Sequence, residues 1–448
     1  MRRRLTPALA LGVCALLATA LPAHAQPRAD TGTYGTKAVY APQQNPRTYA
    51  HAPKGFTPVF TQLVSRHGSR AATDGEDGAL VIDLWKKADA QGQLTAKGRA
   101  FGPLVEQLLA AMEKVGYGNL SARGKSELSG DADRMSARLP ALFGRIAKDG
   151  EKIDVVTSGQ TRAIDSGTEF TSELAALNPE LKPLIGPSRT DKDLLYFHKA
   201  AGGAAYRDYI DTDQRLAATL AAVREQPATH RAARAILRGL FTDAFVDSLG
   251  DADGSDVAAA QAVYNLYAIA PAMSQESPDG HSWHLERYVP HSAAAWFGYL
   301  GDAEDFYEKG PGFTGSDITY KMAEPLLDDL FTQVEAVRAG TSDRGAVLRF
   351  THAEEIIPLA ALMRLPGSTV AAAPDRPYTY KNNPWRGAEV SSLGANIQWD
   401  VFRKGGTYLV RMLYNEKETA FRAGCTPVAK GSTFYDLDEL ESCFGRTS

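Results

Sequence analysis

An α/β fold carrying an all-helical insertion is what this 448-residue chain predicts, and three features say so. Over residues 56–180, short β-branched apolar runs alternate with amphipathic helical stretches, the pattern of a sheet with parallel strands and helical crossovers. Between 181 and 330 the alternation stops, and alanine-rich helical segments follow one another. Strand character returns at 346–351, so the α/β part is expected to be discontinuous, 56–180 together with 331–448, around an insertion at 181–330. A chain this long is expected to make two or more folding units.

The first 25 residues carry Arg2, Arg3 and Arg4, an apolar run from Leu9 to Leu21, and the small-x-small pattern Ala23-His24-Ala25. This is the make-up of a secretory signal peptide. The apolar run is too short to span a membrane, and no later stretch approaches the roughly 20 apolar residues a spanning helix needs. A secreted protein, extracellular or periplasmic and not membrane-bound, is therefore expected. Removing the leader takes away three arginines and no acid, moving the formal charge from −4 to −7. That balance argues against nucleic acid as a partner, and an anionic ligand would need a local positive pocket. Nothing in the chain calls for a protein partner, and a monomer is expected.

Residues 26–55, rich in Pro, Gly, Thr and Ala without periodicity, read as a poorly ordered N-terminal arm. Residues 59–65 (VFTQLVS) read as a buried strand. After Leu94-Thr95, a helix is expected with Ala100, Leu104, Leu108 and Met112 on one face, and a second from 129 through Met135, Leu139 and Ile146. A strand at 153–157 and a helix at 161–177 follow. Within the insertion, 212–226, 228–249 and 255–273 read as helices. Beyond it come a strand at 346–351, an apolar helix at 355–364, and strands at 397–402 and 407–414. Once the leader and Cys14 are gone, Cys425 and Cys443 remain as an even pair, expected to be a disulfide outside the cell.

Three of these strands run directly into polar motifs. The first ends in Arg66-His67-Gly68-Ser69-Arg70. A strand end in an α/β sheet is where ligands bind, the glycine lets the backbone turn beside the imidazole, and two guanidiniums match phosphate oxygens. The second leads into Ser158-Gly159-Gln160-Thr161-Arg162, offering a third guanidinium at the same sheet edge. The third leads into His352-Ala353-Glu354. His352 can donate to a phosphate oxygen and Glu354 can supply a proton to a leaving alkoxide. Taken singly, each residue has a plainer reading: a satisfied core histidine, a solvated first-turn arginine, an acid favoured by the helix dipole. Together they describe phosphoryl transfer, which is largely positioning plus charge neutralisation, and three arginines can neutralise that charge without a metal or cofactor. Two other signals are set aside. Residues 310–315 (GPGFTG) spell a dinucleotide fingerprint but do not follow a strand, and His281 and His284 have ligand spacing without a matching cysteine or carboxylate.

These motifs resemble the histidine acid phosphatase branch of the histidine phosphatases, and within it the multiple inositol polyphosphate phosphatases. The resemblance extends through GQLTAKG at 92–98, SGQTRAIDSGTEF at 158–170, YKMAEPLLDDL at 320–330, GANIQWDVF at 394–402 and LVRMLYNE at 409–416. His-Ala-Glu in place of His-Asp is what points to the inositol polyphosphate subgroup. The resemblance implies a phosphoglycerate-mutase-like mixed sheet flanked by helices, with a helical domain roofing the site. It implies that His67 is the nucleophile, that Arg66, Arg70, Arg162 and His352 bind phosphate, and that Glu354 rather than Glu355 is the proton donor. It also implies a metal-free phytase acting on phytate and lower inositol phosphates. Ala72 and His284 depart from the usual pattern of proline and cysteine. A broad-specificity acid phosphatase acting on sugar phosphates or nucleotides, and a non-catalytic phosphate-binding protein, are the alternatives the motifs leave open. With His67 nucleophilic and Glu354 protonated, activity is expected on the acidic to neutral side.

Overall fold

The computed structural model describes residues 31–249 and 255–446; the leader at 1–25 lies outside them. The strands are β1 (Thr57–Arg66), β2 (Lys152–Thr157), β3 (Arg189–Thr190), β4 (Arg344–Thr351), β5 (Asn396–Lys404), β6 (Thr407–Tyr414), β7 (Lys417–Thr419) and β8 (Phe434–Asp436). They form one mixed sheet in the order β3-β2-β4-β1-β5-β6-β7, with β8 on β6. The β3, β2, β4 and β1 neighbours pair in parallel, and the remainder antiparallel. From Phe60 in β1 and from Gly345 in β4 every residue is buried, polar ones such as Gln62 and Arg349 included, because helices cover both faces. Phe60 and Val64 enter one core cluster and Leu63 the other, as the alternation of a strand requires.

The parallel register positions the motifs. Arg66 of β1 lies opposite Thr351 of β4, and Thr157 of β2 opposite Phe350. The three polar motifs thus emerge at one carboxyl edge of the sheet.

Several expectations are corrected. The helix after Thr95 spans Ala96–Val115, but it buries Phe101, Val105, Leu108 and Met112, while Ala100 is exposed and Leu104 half-buried. The stretch expected as one helix through Ile146 is two, Ala122–Arg138 and Pro140–Asp149, since Pro140 has no N–H to continue the first and opens the second. The stretch at 228–249 likewise breaks at an extended Phe241 into Pro227–Leu240 and Asp243–Ser248, the latter capped by Thr242. A helix at Glu76–Ala90 was not anticipated; its buried residues are only Gly78, Val81, Ile82 and Ala88, too few for a clear stripe.

The insertion also departs from a purely helical unit with its own core. Its β3 extends the sheet, and one apolar cluster joins Ile236 and Phe297 of the insertion to Phe60 and Trp399 of the sheet. From Thr31 onward the chain forms one compact unit. The arm, expected to be poorly ordered, is docked from residue 31. It makes three short 3-10 turns, buries Ala38 and Tyr40, and ties Tyr40 Oη to Glu416 (2.8 Å) and the Ala38 carbonyl to the N–H of Leu393 (2.9 Å). Cys425 and Cys443 are disulfide-bonded, which fastens the helix Leu437–Cys443 to the segment after β7. No helix among the described residues is long and apolar enough to cross a membrane.

Candidate active site

The backbone of His67 is held from both sides: its N–H donates to the Thr351 carbonyl and its carbonyl accepts from Gly394 N–H, each at 2.9 Å. Its Nδ1 lies 3.0 Å from the Gly68 carbonyl. A carbonyl oxygen only accepts, so the ring proton sits on Nδ1 and the lone pair on Nε2. Burial, then Arg66, Arg70, His352 and Arg162, hold the imidazole well below its ordinary pKa. These surroundings favour the neutral ring.

Gly68 is needed for a reason other than a turn. Its φ is not positive, but a Cβ there would lie 2.5 Å from Leu128 Cδ2 and 2.6 Å from the Gly124 carbonyl. The helix Ala122–Arg138 therefore presses directly on the loop, and its Glu127 accepts from both the N–H and the hydroxyl of Ser69, each at 2.8 Å. Ser166, on the helix Thr161–Leu177, accepts from Gly68 N–H (3.3 Å) and donates to the Arg162 carbonyl (2.7 Å), tying the loop to the third arginine.

Around His67 the donors converge. Arg66 Nη1 donates to the Thr36 carbonyl (2.7 Å) and to that of Ser391; Arg70 Nη1 donates to the Ala71 carbonyl (2.7 Å). The Nε atoms of Arg66, Arg70 and Arg162 and Nδ1 of His352 are buried without a hydrogen-bond partner among the described residues. All four belong to residues that act electrostatically on His67 or are part of its loop, so the site carries several buried donors with no protein acceptor. Burial pushes both Arg66 and Arg70 down to about 10, with Arg162 and Arg66 adding to the effect on Arg70. Burial and then Arg162 press His352 down to about 3. Ser158 Oγ lies 2.8 Å from His352 Nε2, and with that hydroxyl donating, Nδ1 carries the proton as a donor.

Glu354 is half-buried on the first turn of the helix Ala353–Leu362. Burial alone would raise its pKa, but Lys309, then His198 and His352, outweigh it and hold the carboxyl well below the usual range. Lys309 Nζ is fixed 2.6 Å from Asp305 Oδ1, and Asp305 Oδ2 accepts from Thr36 Oγ1 (3.1 Å). The arm thus links the Arg66 guanidinium to the cation facing Glu354. Lys37 adds a further positive group, pressed down to about 8 by burial, Arg70 and Arg66.

Among the described residues no three His, Cys, Asp or Glu side chains gather as metal ligands. His284 instead faces Asp279 (3.1 Å) and Glu286 (3.3 Å).

Residues 59–415 match the histidine phosphatase superfamily, branch 2. The chain belongs to this family. It is a phosphoric monoester hydrolase with the fold of its relatives. This histidine phosphatase is 24% identical to multiple inositol polyphosphate phosphatase 1 of Gallus gallus, over 92% of this chain and 91% of that one. It is also similar to the Bifidobacterium longum multiple inositol polyphosphate phosphatase. In the complex with inositol hexasulfate the identity is 32%, the TM-score 0.85, and the coverage 92% of this chain and 97% of that one. In the complex with phosphate they are 31%, 0.87, 93% and 98%.

The structure brings all six predicted site residues of this histidine phosphatase together, and adds some that sequence reasoning missed. Ser158 sat inside a quoted motif without a role. Lys37 lay in a stretch read as unordered, and Lys309 and His198 in the helical segment, where periodicity marks helices but not which end meets the sheet. Glu355 lies in the first turn of the helix Ala353–Leu362 and is fully buried, 2.7 Å from His198.

Proposed function

We propose that this histidine phosphatase hydrolyses phosphomonoesters of myo-inositol polyphosphates, phytate among them, by double displacement through a phosphohistidine at His67. The observation that carries the reading is the set of four buried, unpartnered nitrogens on Arg66, Arg70, Arg162 and His352, the residues whose charges bear on His67, whose own Nε2 lone pair is left open. They grip the three non-bridging oxygens of a phosphoryl group and leave phosphorus facing the imidazole. Nε2 attacks phosphorus, an N–P bond forms, and the P–O bond to the inositol oxygen breaks as Glu354 gives that oxygen its proton. Water then attacks the phosphohistidine, returning a proton to Glu354 and releasing inorganic phosphate.

Glu354 is ionised in the unliganded pocket, since the surrounding cations favour its charged form. Arrival of a phosphate dianion offsets that field, so the carboxyl takes up its proton as substrate binds. Inositol polyphosphates are favoured as substrates by the similarity to the Gallus gallus and Bifidobacterium longum phosphatases, and by Lys37 and Lys309, which extend the positive charge beyond one phosphate. The enzyme is read as secreted, which the leader-like residues 1–25 and the Cys425–Cys443 disulfide support, and as acting as a monomer without metal or cofactor.

The test is phosphate release from phytate, sugar phosphates and nucleotides by the wild type, His67→Ala and Glu354→Ala. Release from phytate that His67→Ala abolishes is expected. Equal rates on all three substrate classes would refute the substrate assignment, and binding without release would refute catalysis.

A further inference from the structure

Glu355 follows Glu354 directly and is fully buried, and each of its carboxyl oxygens has a definite contact. Oε1 lies 2.7 Å from His198 Nδ1, and Oε2 lies 2.9 Å from Thr351 Oγ1. That hydroxyl also lies 2.7 Å from the Leu195 carbonyl. Thr351 thus shares its one hydrogen between the Leu195 carbonyl and Glu355 Oε2. A carboxyl oxygen and a ring nitrogen 2.7 Å apart need a proton between them, so the Glu355–His198 pair holds an exchangeable proton. Burial agrees, pushing Glu355 up to about 6.

His198 is itself buried, with its carbonyl accepting from Arg207 Nη1 (3.0 Å). Its ring packs edge-on against Tyr196 at 4.6 Å, and Tyr196 packs in the same way against His352 at 5.2 Å. With Nδ1 committed to Glu355, the opposite Nε2 edge of the ring is turned away from that carboxyl. His198 acts electrostatically on both Glu354 and His352.

We infer that His198, backed by Glu355, is a positioning residue for the proton donor: the pair holds a proton beside Glu354, and its charge sets the pH range over which Glu354 is protonated. The inference rests on the proposed role of Glu354 as the acid. The sign follows from Coulomb attraction: a proton on the pair favours ionised Glu354, so removing the imidazole lets Glu354 keep its proton to higher pH. The other groups facing Glu354 are Lys309, Tyr196 and Tyr206 from the insertion, His352 beside it, Arg66 and Arg70 from the β1 loop, and Lys37 from the arm. None of them is altered in the variants below.

The experiment is the pH profile of kcat, which reports groups in the enzyme–substrate complex, for His198→Gln and Glu355→Gln. It is run on phytate and on 4-nitrophenyl phosphate, whose leaving group needs no proton. His198→Gln is expected to move the alkaline limb on phytate upward by about half a pH unit or more, and Glu355→Gln, which fixes the neutral form of that acid, to move it downward, each with a smaller change on 4-nitrophenyl phosphate. An unmoved limb, with both esters slowed by the same factor, would overturn the inference in favour of a packing role. Glu355→Gln keeps the shape of a protonated acid, so it carries the test should His198→Gln fail to fold. Glu354→Ala separates the two claims. If it slows phytate turnover and the first-turnover burst of 4-nitrophenol alike, the acid assignment fails and this inference with it. If it spares that burst while the limb stays put in the other variants, the inference alone fails.

Discussion

A Cβ built on Gly124 would lie 1.9 Å from the carbonyl oxygen of Ser69, so the helix Ala122–Arg138 and the loop that carries His67 meet backbone to backbone. Neither backbone has a flexible end to swing aside. Gly124→Ala is therefore expected to displace Ser69 and with it Arg70. The cost is about 1–3 kcal/mol of overpacking, and about 100-fold in kcat from a misplaced phosphate grip. Thermal unfolding and steady-state assays read the two effects. Full activity in the variant would mean that the loop is not held by this contact.

Glu354 should gain a proton when an anion binds. Inositol hexasulfate is suited to the measurement, because its sulfates do not titrate in the working range. Calorimetric titrations in buffers of different ionisation enthalpy, at mildly acidic pH, are expected to show uptake of about one proton per site, reduced in Glu354→Ala. No uptake by the wild type would mean that Glu354 does not change charge.

Lys37 gives a separate pH signature. Burial and its arginine neighbours bring it down to about 8, so the free enzyme loses this positive charge as pH rises through that value. Since kcat/KM reports the free enzyme, its profile on phytate is expected to fall near there, with the limb moved upward in Lys37→Arg. Identical profiles for the wild type and Lys37→Arg would exclude Lys37 as the source.

Removing the disulfide with Cys425→Ser and Cys443→Ser opens a loop of 18 residues' separation at the C-terminal helix. A loss of about 3 kcal/mol is expected, seen as a lower Tm and as a matching effect of reductant on the wild type. These cysteines lie outside the residues that surround His67, so activity below the lowered Tm is expected to be retained.

The central sheet and the six site residues were legible in the sequence for one physical reason. Each motif directly follows a strand buried on both faces, and parallel pairing carries strand ends to one edge; Arg66 opposite Thr351 is the register that does it. What was not legible depends on contacts between distant segments. The arm has no periodicity because it docks through single residues such as Tyr40 and Thr36 rather than through a repeating face. Gly68 was read as a turn residue, whereas its role is close approach to Gly124, more than fifty residues on. His198 and Lys309 reach the site from the insertion, and nothing local to either signals the sheet edge they face. Pro140 could have divided the helix at 129–146, but the apolar positions on either side of it overrode the breaker.

The most direct measurement is to quench the enzyme in base during turnover and map the phosphorylated residue by mass spectrometry. A phosphoryl group on His67 is expected, absent in His67→Ala and accumulating in Glu354→Ala supplied with 4-nitrophenyl phosphate, where formation needs no acid but hydrolysis lacks its base. Turnover with no phosphoryl group on His67, or with the label on another residue, would contradict the account.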